Sequence, residues 1–581
     1  MNEKITEYQT DVLIVGSGGS GLRCAIELCD QGIKDILVIG KCKLGEAHTK
    51  EAEGGINAAL GNVDKEDNWL WHVKDTLSES GYLANGKQAE LVCKNMIPDI
   101  QELQTMGVPF NQTKNGKINQ RQFGGQTFNR TCFVGDYTGK AILETLVKQV
   151  QKRKIKNLEN IYVTQLLASK GKISGIFGLD FESGQFVQIQ AKIVVLATGG
   201  YTRVYKTASS DQFVNTGDSI WLALNAGLEL KDMELVQFHP TGMVWPEEAQ
   251  GKLITEGVRS EGGYLTNSKG ERFMQKYDSE RMELSTRDRV ARANFFEIRT
   301  GNTTPHGGVW LDITHRTPEY IDERLPKMIQ QFKQYGNVDI KTEKMEVAPT
   351  AHYSMGGIVI QPETGETKIK GLYAIGEATA GLHGGNRLGG NSLAEIIVWG
   401  KLAGKDIAKK VKKFKQIKVN SKIVQNEIER IQNLFSGTKS NPVVLRTELQ
   451  KLMWNHAGVV KNEKDLQKGL TELAILKELT KNAKIKTGLK NNLELITVLD
   501  LEAQLATSEC ILKSALARKE SRGAHYREDF LKTKKEWLVN LICRQDLKGK
   551  IKLTKKKVVK PSAEVLKFLK KIKEKYGEWK N

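Results

Sequence analysis

The strongest constraint on the fold lies in the first forty residues. Asp11-Val12-Leu13-Ile14-Val15 is a short apolar run that passes at once into Gly16-Ser17-Gly18-Gly19-Ser20-Gly21. Leu22, Ala25, Ile26 and Cys29 then recur at helical spacing, Gly32 closes the helix, and Ile36-Leu37-Val38-Ile39 supplies a second strand. In a strand–turn–helix–strand unit of this kind the first glycine permits the tight turn. The second lets backbone approach a pyrophosphate, and the third lets helix pack on sheet. The pyrophosphate rests on the helix N-terminus, where free N–H groups and the dipole favour an anion. Gly16, Gly18, Gly19 and Gly21 are therefore candidate dinucleotide ligands, and the fold class is α/β, a doubly wound Rossmann-like sheet. The second strand ends in Gly40-Lys41, without the acidic residue that holds a ribose in nicotinamide proteins.

The remaining length, in a chain of 581 residues, leaves room for several domains at about 100–200 residues each. No apolar stretch approaches the roughly 18 residues of a membrane span, and the polar Met1–Thr10 shows no signal peptide. The expected location is cytoplasmic, or peripheral on the cytoplasmic membrane face through partner subunits. The seven cysteines are scattered, with no C-x-x-C pair, which argues against an iron–sulfur cluster or structural zinc in this chain; no metal site is expected. The net charge of +20 is concentrated at Lys409–Lys422 and in Lys548–Asn581, where 13 Lys face 3 Glu. A solvated Lys-rich surface accounts for it, as does docking to an anionic membrane, an acidic partner or nucleic acid.

Beyond the second strand, Glu46-Ala47-His48-Thr49 precedes Glu51-Ala52-Glu53-Gly54-Gly55-Ile56-Asn57-Ala58-Ala59. This stretch resembles the flavoprotein subunits of succinate dehydrogenases and fumarate reductases. The resemblance covers about 11–408 and 445–530, and around Phe123-Gly124-Gly125-Gln126 it includes archaeal-type, thiol-dependent members. It implies FAD as the cofactor, joined covalently through His48, with Thr49, Gly54 and Gly55 beside the flavin. The family often has Arg-Ser where Glu46-Ala47 stand. Ile193 to Gly200, Thr216-Gly217-Asp218 and Gly371 to Glu377 look like the returning FAD segments, placing Gly199, Asp218 and Glu377 at the cofactor with Lys41. Gly389-Gly390-Asn391-Ser392-Leu393-Ala394-Glu395 looks like a helix start aimed at the flavin, with Ser392 as N-cap and Leu393 beside the ring.

By the same resemblance His239, Thr255, His352 and Arg387 bind the two carboxylates of a four-carbon substrate, and Phe123 forms an apolar wall. Arg287, in Ser285-Thr286-Arg287-Asp288, exchanges the proton at the substrate carbon, resupplied by Glu256 and Arg259. The implied activity is interconversion of succinate and fumarate. Electrons pass to or from an iron–sulfur subunit, with anchor subunits added in membrane forms. The expected plan is an FAD-binding domain (1–240 and 350–410), an α+β cap or substrate lid (241–349), a helical domain (411–530) and a small basic C-terminal region (531–581), where little specific resemblance remains. Val565, Leu566, Leu569 and Ile572 predict an amphipathic end helix. L-Aspartate oxidase is the nearest enzyme alternative, but it has a Glu where Phe123 stands and lacks the flavin-linking His. A basic nucleic-acid-binding or scaffold protein on a flavin fold is the alternative from another class, and the retained Arg287 and Arg387 argue against it; no nucleic-acid partner is expected.

Overall fold

The computed structural model describes residues 5–211 and 213–576, so residues 1–4 of the first domain and 577–581 of the basic region lie outside the description. A seven-stranded sheet forms the base, in the order Lys156–Leu158, Ile36–Ile39, Ile5–Val15, Gln185–Leu196, Lys172–Asp180 and Ile161–Ser169, with Leu372–Ala374 also pairing with Gln185–Leu196. The nucleotide half is parallel: Val12 pairs with Ile36 on one side and with Ile193 on the other, and Val194 takes Leu372. Val12, Leu13 and Ile14 are fully buried, as a parallel strand covered on both faces requires. The first helix, Gly19–Asp30, packs against Asn391–Lys410. Their contact is close, because a Cβ on Gly400 or Gly404 would come within 2.8 Å of Arg23 or 2.7 Å of Glu27.

A second antiparallel sheet, in the order Val236–Met243, Met345–Ser354, Val309–Asp312 and Tyr264–Thr266, rises from the first two of these strands. With the helix Arg287–Arg299 it encloses its own core, from Met243 through Leu265, Val290 and Leu311 to Val347. The two larger hydrophobic cores, joined by long strands, mark a base and, raised on it, a second unit in the place of the expected lid. The helices Pro442–Ala457, Glu463–Lys481 and Leu493–Ala517 follow, each begun by an Asn whose side chain accepts a first-turn N–H: Asn441, Asn462 and Asn492.

The described residues after 530 are joined to the body of the protein. Strand Val539–Gln545 pairs with Leu230–Lys231 from the first half of the chain and with Ile551–Lys557. The end helix Ala563–Tyr576 buries Val565 and Ile572, sets Phe568 edge-on to Trp71 at 5.3 Å, and leaves Leu566 exposed. Among the described residues no helix is long and apolar enough to cross a membrane.

Arg518 ties these parts together. Its buried guanidinium donates to Glu234 Oε1 at 2.6 Å, Glu520 Oε1 at 3.1 Å and the carbonyls of Trp537 and Val539 at 3.0 and 2.9 Å. Arg518→Ala would leave Glu234 buried without its cation, whereas Glu520 keeps Arg522, a loss of about 3–5 kcal/mol. The urea midpoint is expected to fall accordingly, and an unchanged midpoint would show that the cluster adds nothing to stability.

Candidate active site

The turn after the first strand opens onto a cleft of about 1180 Å³. Gly16, Gly18 and Gly19 form its rear wall, with Gly199, Asp218, Glu377, Ser392 and Leu393 around it and His48 and His352 at the inner end. Gly16 has φ of +118°, and a Cβ there would lie 2.1 Å from Ala197 O, so no other residue fits. No side chain at the N-cap position caps the first helix; Thr49 Oγ1, from a neighbouring segment, accepts only the Gly19 N–H at 3.2 Å. The first-turn amides therefore face the cleft as an anion cradle. Lys41 stands at the rim between Asp218 at 3.0 Å and Asp500 at 2.9 Å. Burial works against its charge, but the two carboxylates prevail and raise its pKa above the ordinary lysine value. Glu377 accepts the Ser354 N–H at 2.9 Å, and burial pushes its carboxyl up to about 7. A dinucleotide with a polar ribityl-like link fits this cleft. Buried Thr198 Oγ1 and His48 Nδ1 carry no hydrogen bond among the described residues, although both residues line it.

Three of the expected cofactor residues stand behind the wall. A Cβ on Gly21 would meet Gly16 O at 2.0 Å, one on Gly54 the Phe123 ring at 2.6 Å, and one on Gly55 Thr131 at 2.5 Å. They permit packing of the turn and of the Phe123 wall. Ser392 is not the N-cap expected from the sequence. The helix begins at Asn391 behind Gly390, whose φ of +87° and contact with Asn57 exclude a side chain. Ser392 Oγ instead accepts from Arg387 Nη1 at 3.0 Å.

The inner end gathers the residues expected to bind substrate. Glu256 Oε2 accepts from Arg287 Nε at 2.7 Å and lies 3.8 Å from Arg259 Nη2, while its Oε1 accepts the Gly124 N–H at 2.9 Å. Arg259 also donates to Glu283 O at 2.5 Å, and Arg287 Nη1 donates to Gln237 Oε1 at 3.3 Å. His239 and His352 lie with ring centroids 5.3 Å apart, and His48 is 5.9 Å beyond. Arg387 lies over the Tyr353 ring at 4.5 Å, with its Nε and Nη2 buried and unpartnered among the described residues. Thr255 is buried, its Oγ1 accepting from Gly257 N, which leaves the hydroxyl hydrogen to donate. Phe123 is sealed between Gly54 and Gly389.

The charges of this shell do not balance. Burial opposes ionisation of Glu256, but the guanidiniums of Arg287 and Arg259 hold its pKa at about 2. Burial, followed by the adjacent arginines, drives His239 and His352 far below the usual histidine range, so both are neutral. Burial and then Arg287 lower Arg387 to about 9, and it remains a cation at neutral pH. Among the side chains that converge here three guanidiniums thus face one carboxylate in ion-pair reach, an excess of two positive charges on which Glu377 and Glu283 act only at longer range.

Sequence reasoning passed over the residues that hold these groups in place. Gln237 donates to Asn386 Oδ1 at 2.7 Å and Arg387 O at 2.8 Å, and Ser209 Oγ lies 2.8 Å from His352 Nδ1. Asn57 donates to Gly389 O and Asn391 Oδ1, and His72 Nε2 meets the same Asn391 oxygen at 2.8 Å. Asn57 lies inside the stretch Glu51–Ala59 and Gln237 two residues before His239, whereas Ser209 and His72 left no signal.

Residues 11–393 match the FAD binding domain family, and residues 446–573 match the fumarate reductase flavoprotein C-terminal family, which therefore reaches well past residue 530. The chain is 40% identical to one of the subunits of the fumarate reductase (CoM/CoB) of Methanothermobacter marburgensis, over 93% of this chain and 98% of that one. It is 38% identical to the succinate dehydrogenase flavoprotein subunit of Rickettsia bellii, over 95% and 96%. An E. coli quinol fumarate reductase structure superposes with a TM-score of 0.90 at 34% identity, covering 96% of this chain and 97% of the other. The chain belongs to the FAD-dependent succinate dehydrogenase and fumarate reductase flavoprotein family.

Proposed function

We propose that the chain is the FAD-bearing catalytic subunit that interconverts succinate and fumarate, with Arg287 as the proton-transferring residue. The observation that carries this reading is the excess of two buried positive charges, which a four-carbon dicarboxylate dianion would neutralise. The family relationship and the names of the relatives support the same reaction. Bound FAD supplies the two-electron chemistry, taking up or delivering hydride at its N5.

The residues have distinct tasks. His239 and Thr255 hold one carboxylate, and Arg387 with His352 holds the other. The free Arg387 nitrogens offer the planar fork that suits bidentate binding. Both histidines are neutral and donate through one nitrogen, so they orient the anion without adding charge. Phe123 excludes water. Arginine is ordinarily a poor acid, with a pKa above about 12. Hydride arriving at one alkene carbon leaves the next with strongly basic, carbanion-like character, which a guanidinium held in place can protonate. Glu256, touching Arg287 and adjacent to Arg259, is the group through which that proton is replaced or withdrawn. Phe123, an apolar ring, stands where L-aspartate oxidase has a Glu and offers no acceptor to the ammonium of an amino acid, which disfavours aspartate.

His48, unpartnered at Nδ1 and neutral through burial, is the proposed point of covalent flavin attachment. Electrons pass to or from a separate iron–sulfur subunit, and any membrane association is peripheral, through partner subunits.

With purified chain reconstituted with FAD, fumarate-dependent oxidation of reduced viologen and succinate-dependent dye reduction are both expected, with none on L-aspartate. Activity with aspartate alone would overturn the substrate. Arg287→Ala should lower turnover about 10²–10⁴-fold with flavin retained, and near-normal turnover would remove Arg287 from proton transfer. Acid precipitation should leave flavin on the wild-type protein and release it from His48→Ser. Complete release from the wild type would disprove the linkage.

A further inference from the structure

Two clefts flank the reacting centre. The first takes the cofactor, whose flavin end would close it at His48 and His352. The second, of about 1020 Å³, lies in the seam where three parts of the chain meet: Arg281, Thr286 and Arg289 from the lid, Glu79 and Gly125 from the base, and Arg522 from the C-terminal third. Thr286 and Gly125 place its floor one residue from Arg287 and one from Gly124, whose N–H holds Glu256. The partition is thin. Asn386 Nδ2 bridges Glu79 at 2.6 Å and Asp288 at 2.8 Å on the cleft side, while its Oδ1 holds Gln237, which accepts from Arg287. The seam is shut here, since a Cβ on Gly124 would sit 2.8 Å from Ser285 O of the lid.

The basic side chains of this wall are not equivalent. Lys74 pairs with Asp75 at 3.1 Å, Arg289 with Asp278 at 3.4 Å, Arg292 with Asp288 at 2.8 Å and Arg522 with Glu520 at 2.8 Å. Arg281 is exposed, and among the described residues its guanidinium has no hydrogen-bond or ion-pair partner. We propose that this cleft is the vestibule through which the dicarboxylate approaches, with Arg281 recruiting the anion before the lid admits it to Arg287. The inference rests on the succinate–fumarate reading above. Burial and the carboxylates of Asp288 and Glu256 push Glu79 well above the ordinary carboxylate range, which weakens its hold on Arg281. A free cation in a walled seam concentrates field lines and raises the local concentration of an anion, which acts on association more than on the bound complex.

The test uses FAD-loaded enzyme and fumarate, with association followed by stopped-flow perturbation of flavin absorbance at low and high salt, beside steady-state turnover. Wild-type association should slow as salt rises. Arg281→Glu should slow it about tenfold at low salt and flatten the salt dependence, with the loss falling in kcat/KM rather than kcat. Arg281→Lys should restore most of the rate, which a folding defect would not allow. An Arg281→Glu enzyme with the wild-type association rate and salt slope overturns the vestibule while leaving the reaction intact. A wild type that turns over neither fumarate nor succinate overturns the reading of the reaction, and the vestibule falls with it.

Discussion

Everything around the inner site answers to one electrostatic problem, three buried guanidiniums with a single carboxylate between them. A charge taken out of water is costly unless paired and hydrogen-bonded. Part of the cost is met locally. Arg259 donates to the Glu283 carbonyl, Arg387 lies on the Tyr353 ring and reaches Ser392 Oγ, and Arg287 divides itself between Glu256 and Gln237. What these contacts leave uncompensated is an excess of about two charges, with Arg387 Nε and Nη2 bare. A pocket optimised for stability alone would not keep such groups. On the proposed reading the imbalance is binding energy for a dianion, stored in groups already in position.

The histidines follow from the same constraint. Had His239 and His352 stayed protonated, the pocket would carry two further charges and repel its own arginines. Burial and those arginines together remove the protons, so each ring serves as an uncharged donor. Neutral donors fix the orientation of a carboxylate whose charge the arginines neutralise.

Legibility in the sequence divided along the line between local and assembled structure. The nucleotide turn was readable because spacing and backbone demands are contained in six consecutive residues, and Gly16, caught against Ala197 O, meets both. The reacting residues were readable through resemblance, each within a short motif. Ser392 was misplaced as an N-cap because a side-chain preference cannot anticipate Gly390 pressed on Asn57, which lies more than 300 positions earlier in the chain. The contacts that aim the site, Ser209 to His352 and His72 to Asn391, join segments 143 and 319 positions apart and leave no local pattern. The C-terminal segment was misread for a different reason. Exposed lysines on either side hide a short run, Asn540 to Cys543, that is buried against the body of the protein.

The division of the site between base and lid gives the charge imbalance a mechanical consequence. Arg287, Glu256, Arg259 and Thr255 belong to the lid, whereas Arg387, Phe123 and the Gly124 amide belong to the base. His239 and His352 sit on the two strands that run from one into the other. In the proposed closure Arg287 moves towards Arg387, and the two repel where little water is left to screen them. Opposing that repulsion, Asp136 of the base accepts the N–H groups of Lys327 and Met328 at the start of the lid helix Pro326–Gly336, each at 3.0 Å, and Lys327 reaches Glu53 at 2.8 Å. A dianion between the arginines converts the repulsion into attraction on both sides of the seam. On the proposed reading the substrate is part of what holds the lid down, so that closure is favoured when the pocket is filled and relaxed when it is empty.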